Sequence, residues 1–374
     1  MKILHLVGAR TDHGGILSVL RSLQSAQGAS VESAVWVHES FVERRPPPLQ
    51  LRRNPKALDE ATSHLRLLFA AARSWPGLGR LLATEHFDVV HAHSRGSLPL
   101  AVGLNRRAQR GGPAVLFTNH TYARRTGLYR AAVRHAHLPM VLLTPTMARH
   151  YGLAGAPGVE FISACVADHH CQAPLVPRPA RPDRLRLVGI GNLVRWKNWH
   201  LLLEAWAQLP AALRQAGTCE IWGPKDPDLA GQRYADELTR QRDSLGLRGL
   251  VDFKGPTNAV AQVLTDADWF VLPSTNEPCS VALLEALAAG RPALVSASGG
   301  NVDLVQPNVT GRHFIPDDVA DLTRQLTAVL SGEVPIGNPT EIRSSVLARA
   351  ATPIAAAYER LYTQLLARPR SPRP

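Results

Sequence analysis

Two glutamates offer the most definite chemistry in the sequence. They lie in residues 272–292 (LPSTNEPCSVALLEALAAGRP), with seven residues between Glu277 and Glu285. An apolar run ends at Pro273, and a polar loop carries Glu277. Ser280 is placed to cap a helix over 281–289 that Gly290 closes. Glu285 then falls about one and a half turns into that helix, at ~3.6 residues per turn. The ligand crevice of an open α/β sheet lies at such a strand end. A helix start also offers free N–H groups and the positive end of a dipole, which suits a phosphate. Carboxylates beside a phosphate are not its ligands. They accept hydrogen bonds from hydroxyls, as a sugar and a ribose supply. The competing reading is a loop glutamate and a helix glutamate in a salt bridge.

Other candidates are weighed in the same way. His91 and His93 alternate on one apolar run, so both point to one side. A metal pair would need a third ligand, and none of suitable spacing is apparent, so packing or hydrogen bonding is the favoured role. Trp196 and Trp199 flank Lys197 and are expected to pack. Arg124, Arg125 and Arg130 follow His120. They are either a solvated face or ligands for an acceptor phosphate, the second being favoured by the charge distribution below. Asp226 and Asp228 have the letters of a D-x-D metal motif but sit in a polar segment after Gly223, so no metal site is expected there. Gly189 and Gly191 follow a strand-like run, but Val194 stands where the third glycine of a dinucleotide loop belongs, and Glu204 falls inside a helix. That argues against a nicotinamide dehydrogenase.

The elements that must hold these residues are legible as alternation. Strand-like runs occur at 3–7, 88–93, 115–119 and 140–144, then at 185–190, 220–222, 251–253, 269–272 and 293–296. Helical patterns lie between them, including Ile16, Leu20 and Leu23, 67–82, 201–209, 235–245, 260–265 and 281–289. Continuous apolar strands alternating with helices predict parallel sheets covered on both faces, here two doubly wound α/β domains. Prolines 174, 177, 179 and 182 mark the join. The expected division is 1–182 and 183–353, with a helix at about 354–367 returning to the first domain and a disordered tail at 368–374. A second proline stretch, Pro46 to Pro48, is flanked by Arg44, Arg45, Arg52 and Arg53, and reads as an exposed basic arm running to Lys56.

The chain has 374 residues, 45% hydrophobic and 19% charged, which is an ordinary globular composition. No apolar run approaches the ~20 residues of a spanning helix, and residues 1–8 are too short for a signal peptide. Cys165, Cys171, Cys219 and Cys279 have no C-x-x-C spacing, which argues against a zinc site or disulfide scaffold and fits a reducing cytoplasm. The charge is uneven. Residues 1–184 hold 23 lysines and arginines against 11 aspartates and glutamates, a net of +12, while the remainder is neutral with 19 of each. Only the first half is therefore expected to face something anionic: nucleic acid, an anionic membrane surface or a phosphate-bearing substrate. Nucleic-acid binders usually interleave basic patches with aromatics, and aromatics are 6% here.

With these segments in view, the chain resembles the GT-B glycosyltransferases, specifically the large retaining family 4. The 272–292 segment is similar to that family's E-x7-E signature. Gly14 and Gly15 after the first strand, FDVVHAH at 87–93, His120 at a strand end and GNLVRWK at 191–197 match family elements in order. Gly299 and Gly300, Thr310 and Gly311, and AYERLYTQLL at 357–366 complete the set across essentially the whole chain. The resemblance implies a GT-B fold, two Rossmann-like domains facing a cleft. It implies transfer of a hexose-type sugar from UDP or GDP to a glycan or lipid-linked saccharide, with retention of configuration and without metal. The product class is polysaccharide or cell-envelope glycan.

By the same resemblance Glu277, His120 and Lys197 are catalytic. Glu277 holds donor-sugar hydroxyls, Glu285 the ribose, and Lys197 the diphosphate, with amides near Cys279, Ser280 and Val281. His120 lies close to the donor sugar, and Gly15 lets backbone approach a phosphate. Gly223, beside Trp222, and Lys254 with Gly255 line a base pocket. Arg124 and Arg125 are the acceptor side. Three departures stand out. Asn192 replaces the usual arginine, so either Arg195 substitutes or Lys197 and the helix start act alone. Residues 163–167 (SACVA) replace a P-N-G-type stretch. Pro278 and Cys279 replace the common glycine and aromatic. The expected partners are the nucleotide-sugar, its glycan or lipid-linked acceptor and an anionic membrane face met peripherally from the cytoplasm, with no nucleic acid. A sugar-nucleotide epimerase of the same fold and a basic nucleic-acid-binding protein are the alternatives.

Overall fold

The computed structural model describes residues 1–374 except 13, 57, 59–62, 109–110, 177–183, 227–228 and 369–374. The chain forms two units: Met1–Ala167 with Ala351–Pro374, and Asp168–Ala350. Among the described residues no helix is long and apolar enough to cross a membrane.

In the first unit β1 (Lys2–Leu6), β2 (Glu32–His38), β3 (Leu51–Asn54), β4 (Val89–Ala92), β5 (Ala114–Asn119), β6 (Met140–Leu142) and β7 (Val159–Phe161) form one sheet in the order β3-β2-β1-β4-β5-β6-β7. Every pairing is parallel. The central strands are buried along their length, because helices cover both faces and leave no position for a solvated side chain. The helix Gly15–Ala26 turns Leu17 and Leu20 onto Val35, Val37 and Phe41. Each such side chain contributes about 1.5–3 kcal/mol by leaving water. One part of this interior is polar. His5 pairs in register with His91, so both project from the same side of the sheet. Tyr358 and Tyr362 of the helix Ala351–Ala367 meet that layer, with Tyr362 OH 2.7 Å from His91 Nδ1 and Tyr358 OH 3.2 Å from Thr118 Oγ1.

The second unit repeats the plan. β8 (Leu185–Ile190), β9 (Gly217–Trp222), β10 (Val251–Gly255), β11 (Trp269–Leu272), β12 (Ala293–Ser296) and β13 (Gly311–Phe314) are parallel, in the order β10-β9-β8-β11-β12-β13. Its core centres on Trp199, Trp206, Tyr234 and Leu238 packed on Ile221 and Val251. In each sheet the order reverses beside the first strand, at β1/β4 and at β8/β11. These are the two switch points where an α/β sheet opens a crevice.

Several expectations change. The strands β2, β3, β7 and β13 were not expected. β3 carries Arg52 and Arg53, β7 is mostly exposed, and β13 contains Arg312 and His313, so their polar side chains obscure the apolar signal. Units divide at 167/168 rather than 182, because the short helix Asp168–Gln172 packs on Val281–Ala288 of the second unit. Pro177, Pro179 and Pro182 lie outside the described residues, as does the tail beyond Arg368. With the observed units the charge is more polarised: 24 basic against 10 acidic residues, net +14, and 18 against 20, net −2.

The basic arm is also corrected. Arg52 belongs to β3 and is clamped by Glu85 at 2.6 and 2.8 Å, and Arg53 donates to the carbonyls of Glu39 and Phe41 at 2.8 Å. The loop before β3 is pinned from below. Asp12, fully buried, takes a two-pronged bond from Arg21 at 2.7 and 3.0 Å and accepts the amides of Arg44 and Arg45. Burial alone would raise Asp12. The Arg21 guanidinium and the two amides outweigh it and hold the carboxyl below its ordinary 3.8.

Two outcomes follow. Asp12→Ala takes from buried Arg21 its two-pronged partner, leaving Glu43 at 3.2 Å and the Pro47 carbonyl at 3.1 Å, and should cost about 3 kcal/mol, the low end for breaking a buried pair, read as a lower thermal midpoint. A depressed carboxylate stabilises above its unfolded pKa, so the wild-type advantage over Asp12→Ala should be complete near pH 7 and shrink below about pH 4. An unchanged midpoint in the variant would show that the loop is not held this way.

Candidate active site

The loops after β8 and β11, on either side of the second switch point, bring Lys197 and Glu277 together. Lys197 Nζ lies 2.7 Å from Glu277 Oε2, and each side chain is 9% exposed. Lys197 ends a short 3-10 turn, Arg195–Lys197, and its arm passes Gly191, where a Cβ would lie 3.1 Å from Cε. The ammonium also sits 4.5 Å from the centre of the Trp196 ring. Trp196 is 47% exposed, so of the two tryptophans only Trp199, fully buried, packs as expected.

The loop carrying Glu277 is held mainly through its backbone. Thr275 N–H donates to Trp196 O at 3.1 Å, Asn276 N–H to Ser298 Oγ at 2.8 Å, and Gly300 N–H to Glu277 O at 2.6 Å. Gly299 has φ +59°, and a Cβ there would stand 2.5 Å from Glu277 O. This close approach explains the glycine pair that follows the glutamate segment. Ser280 caps the helix Val281–Ala288 by accepting from Leu283 N–H at 3.3 Å, and Cys279 and Ser280 are buried beside Glu277.

Glu285, one and a half turns further, has a neighbour the sequence did not reveal. His170 Nε2 is 3.8 Å from Glu285 Oε1, and burial together with the adjacent His169 pushes His170 down to about 4. A neutral imidazole therefore faces the carboxylate at neutral pH. The His169–His170 doublet just before the prolines was the available signal. The two glutamates are thus partnered separately, Glu277 by Lys197 and Glu285 by His170, and not by one another.

Arg195 goes elsewhere. Its guanidinium bonds Glu237 and stacks 5.1 Å over Tyr234 on the helix Leu229–Ser244. At Asn192 the backbone carbonyl accepts from Trp199 Nε1 at 3.1 Å. Gly223 must lack a side chain, because a Cβ would lie 2.0 Å from Gly191 O. Gly223 N–H bonds Gly255 O at 2.9 Å, and Lys254 Nζ lies 5.9 Å from the Trp222 ring, so the expected base-pocket residues are neighbours. Of the D-x-D letters, Asp228 lies outside the described residues.

In the first unit Gly15 lines a cavity of about 860 Å³ whose described lining includes Arg10, Lys56 and Arg73 and no carboxylate. Arg124 and Arg125 line another, of about 760 Å³, with Arg95, His64 and Tyr122. Six of this unit's 24 lysines and arginines line these two concave surfaces. His120 lies in neither lining; its Nε2 is 3.2 Å from His93 Nδ1, and burial lowers it to about 4. The expectation that His91 and His93 have no third partner is overturned. His5, 86 residues before His91 in sequence, brings a ring nitrogen into the same cluster, all ligand atoms lying within 4.8 Å. Neighbouring parallel strands bring it there, which no local spacing encodes.

Residues 177–344 match the model of the family described as glycosyl transferases group 1. A D-inositol 3-phosphate glycosyltransferase of Actinosynnema mirum is 34% identical over 136 residues, 35% of this chain and 32% of that protein. The same-named protein of Geodermatophilus obscurus is 28% identical over 274 residues, 66% of this chain and 60% of its own. The matched stretches thus span from about a third to less than two thirds of these relatives. Among solved structures, sucrose-phosphate synthase from Thermosynechococcus elongatus superposes with a TM-score of 0.78 at 20% identity, covering 98% of this chain and 99% of that one. Anabaena HepE in complex with UDP and glucose gives 0.75 at 17% identity, covering 97% and 100%. Residues 177–344 thus match the glycosyl transferases group 1 family model, within a chain whose two Rossmann-like units have the GT-B fold.

Proposed function

We propose that this protein is a cytoplasmic, retaining glycosyltransferase that takes a hexose-type sugar from UDP or GDP and needs no metal. The buried Lys197–Glu277 pair at the second switch point carries the proposal. Breaking the bond between the anomeric carbon and the diphosphate oxygen builds negative charge on the leaving group, which a fixed cation and aligned amides stabilise without reorganising. Lys197 has three N–H donors and spends one on Glu277. The helix start at Ser280 and Val281 adds its free N–H groups. Glu277 accepts sugar hydroxyls and Glu285 those of the ribose. The contact of Arg195 with Glu237 favours Lys197 and the helix start as the groups that carry the diphosphate where Asn192 replaces the arginine. The resemblance puts His120 close to the donor sugar, and a hydrogen bond to a sugar hydroxyl is the role proposed for it. Retention of configuration places the acceptor hydroxyl on the leaving-group face, with no covalent nucleophile.

The acceptor is proposed to carry a phosphate. The lining around Arg124 and Arg125, which holds no carboxylate among its described residues, supports this, as does the name of the relatives, D-inositol 3-phosphate glycosyltransferase. A lipid-linked saccharide meets the same requirement through its phosphate.

Three measurements test the reading. Thermal stability should rise with UDP or with GDP, not with NAD, and the rise should survive EDTA; loss of the shift in EDTA would overturn metal independence. Lys197→Ala should lower kcat about 10²–10³-fold, as removal of one charge-stabilising group does, and Glu285→Gln should raise the donor KM. Normal turnover in Lys197→Ala would remove the assignment. With an inositol phosphate as trial acceptor, Arg124→Ala with Arg125→Ala should raise the acceptor KM about tenfold, equivalent to about 1.4 kcal/mol, at nearly constant kcat. Release of an altered free sugar without any acceptor would instead identify an epimerase.

A further inference from the structure

The histidines of the first unit form a connected line. His5 Nδ1 lies 2.9 Å from His93 Nε2, and His93 Nδ1 lies 3.2 Å from His120 Nε2. His91 stands beside this line and is closed off from it. Its Nδ1 meets Tyr362 OH and its Nε2 meets Thr118 Oγ1, each at 2.7 Å. His5, His91 and His93 are buried. Burial lowers His5 to about 3 and His120 to about 4, and puts His91 and His93 well below the ordinary histidine value, so all four rings are neutral at neutral pH.

A neutral imidazole has one N–H and one lone pair. Both links in the line join an Nδ1 to an Nε2, and this fixes the proton count. If His5 donates from Nδ1, His93 accepts on Nε2 and must carry its own proton on Nδ1. His93 then donates to His120 Nε2, and His120 carries its proton on Nδ1. If His120 donates instead, every ring carries its proton on Nε2. Mixed arrangements put two protons, or none, between a pair of nitrogens.

We propose that His5 and His93 are positioning residues that couple the tautomer of His120 to their own, the three rings always sharing the same form. This rests on the role given above to His120. The nitrogen of His120 that faces away from His93 is Nδ1, and the line decides whether that atom donates to a substrate hydroxyl or accepts from it. A wrong tautomer presents the opposite polarity at the same place, as costly as a misplaced group. The cluster also has the look of a three-histidine metal site, but His91 and His93 each have both nitrogens engaged in hydrogen bonds. A metal would have to break bonds that already satisfy every ring nitrogen of those two residues.

The test uses the full chain labelled with ¹⁵N in histidine, whose ring-nitrogen shifts report the tautomer of each residue. His5, His93 and His120 should all be Nδ1–H or all be Nε2–H; differing tautomers within the three overturn the inference with no variant needed. His93→Phe keeps a ring but removes both links. It should release His120 to a mixture of tautomers and lower kcat with a UDP- or GDP-sugar about 100-fold, the low end of what a positioned acid or base contributes, with little change in donor KM. His5→Phe, which does not touch His120, should shift the His120 nitrogens through His93. His5→Asn, whose amide occupies the Nδ1 position, should restore them. A folded His5→Phe with unchanged His120 shifts would refute transmission, and one equivalent of zinc retained on these histidines would refute the hydrogen-bonded line. If the wild type turns over no sugar nucleotide, the proposed function fails, while the tautomer spectrum still decides this inference.

Discussion

An ammonium and a carboxylate buried side by side must remain paired, because separating them strands a charge in a medium that cannot solvate it. Much of the local structure around β8 and β11 follows from keeping Lys197 and Glu277 together. Gly191 leaves room for the lysine arm, and Gly299 lets one backbone press against another beneath the glutamate. Asn276, with φ +55°, turns the loop so that the carboxylate points inward. The pairing also imposes a rule on any ligand. A ligand that draws Lys197 away must offer Glu277 another hydrogen-bond donor, or leave a buried carboxylate without a partner.

The first unit solves a related problem without charge. Its sheet interior contains histidines where a parallel sheet ordinarily has valine and isoleucine. They are tolerated because both nitrogens of His91 and of His93, and Nδ1 of His5, have partners within the same layer, which is the condition for burying polar groups at modest cost. The hydroxyls of Thr118, Tyr358 and Tyr362 complete that layer. Arg124 and Arg125 are exposed around a cavity that contains no carboxylate among its described residues.

Most of the architecture was legible because apolar runs and helical periodicity recur at most of the βα units. The segment around Glu277 was legible for the same reason: strand, loop, cap and helix follow one another without interruption. What escaped was of two kinds. Arg52 and Arg53 read as a free basic arm because a salt bridge to Glu85, 33 residues away from Arg52, leaves no mark on the local pattern. His5 and His170 escaped because their partners come from other strands and helices, at separations set by topology. The pairing of Lys197 with Glu277, 80 residues apart, belongs to the same class. Both residues were named, but their contact was not foreseen.

The helix Ala351–Ala367 belongs to the first unit although the whole second unit precedes it in the chain. Tyr362 reaches His91 across 271 residues, and Tyr358 reaches Thr118 across 240. During synthesis at ~5–20 residues per second, on the order of ten seconds or more separates completion of the first seven strands from the arrival of these two tyrosines. For that interval the half-built unit exposes a polar slot in an otherwise apolar face, wetted by solvent and unable to close. The second unit has no such dependence and is complete before its predecessor. The order of maturation is therefore the reverse of the order of translation, and the last helix acts as the seal on the first-made sheet.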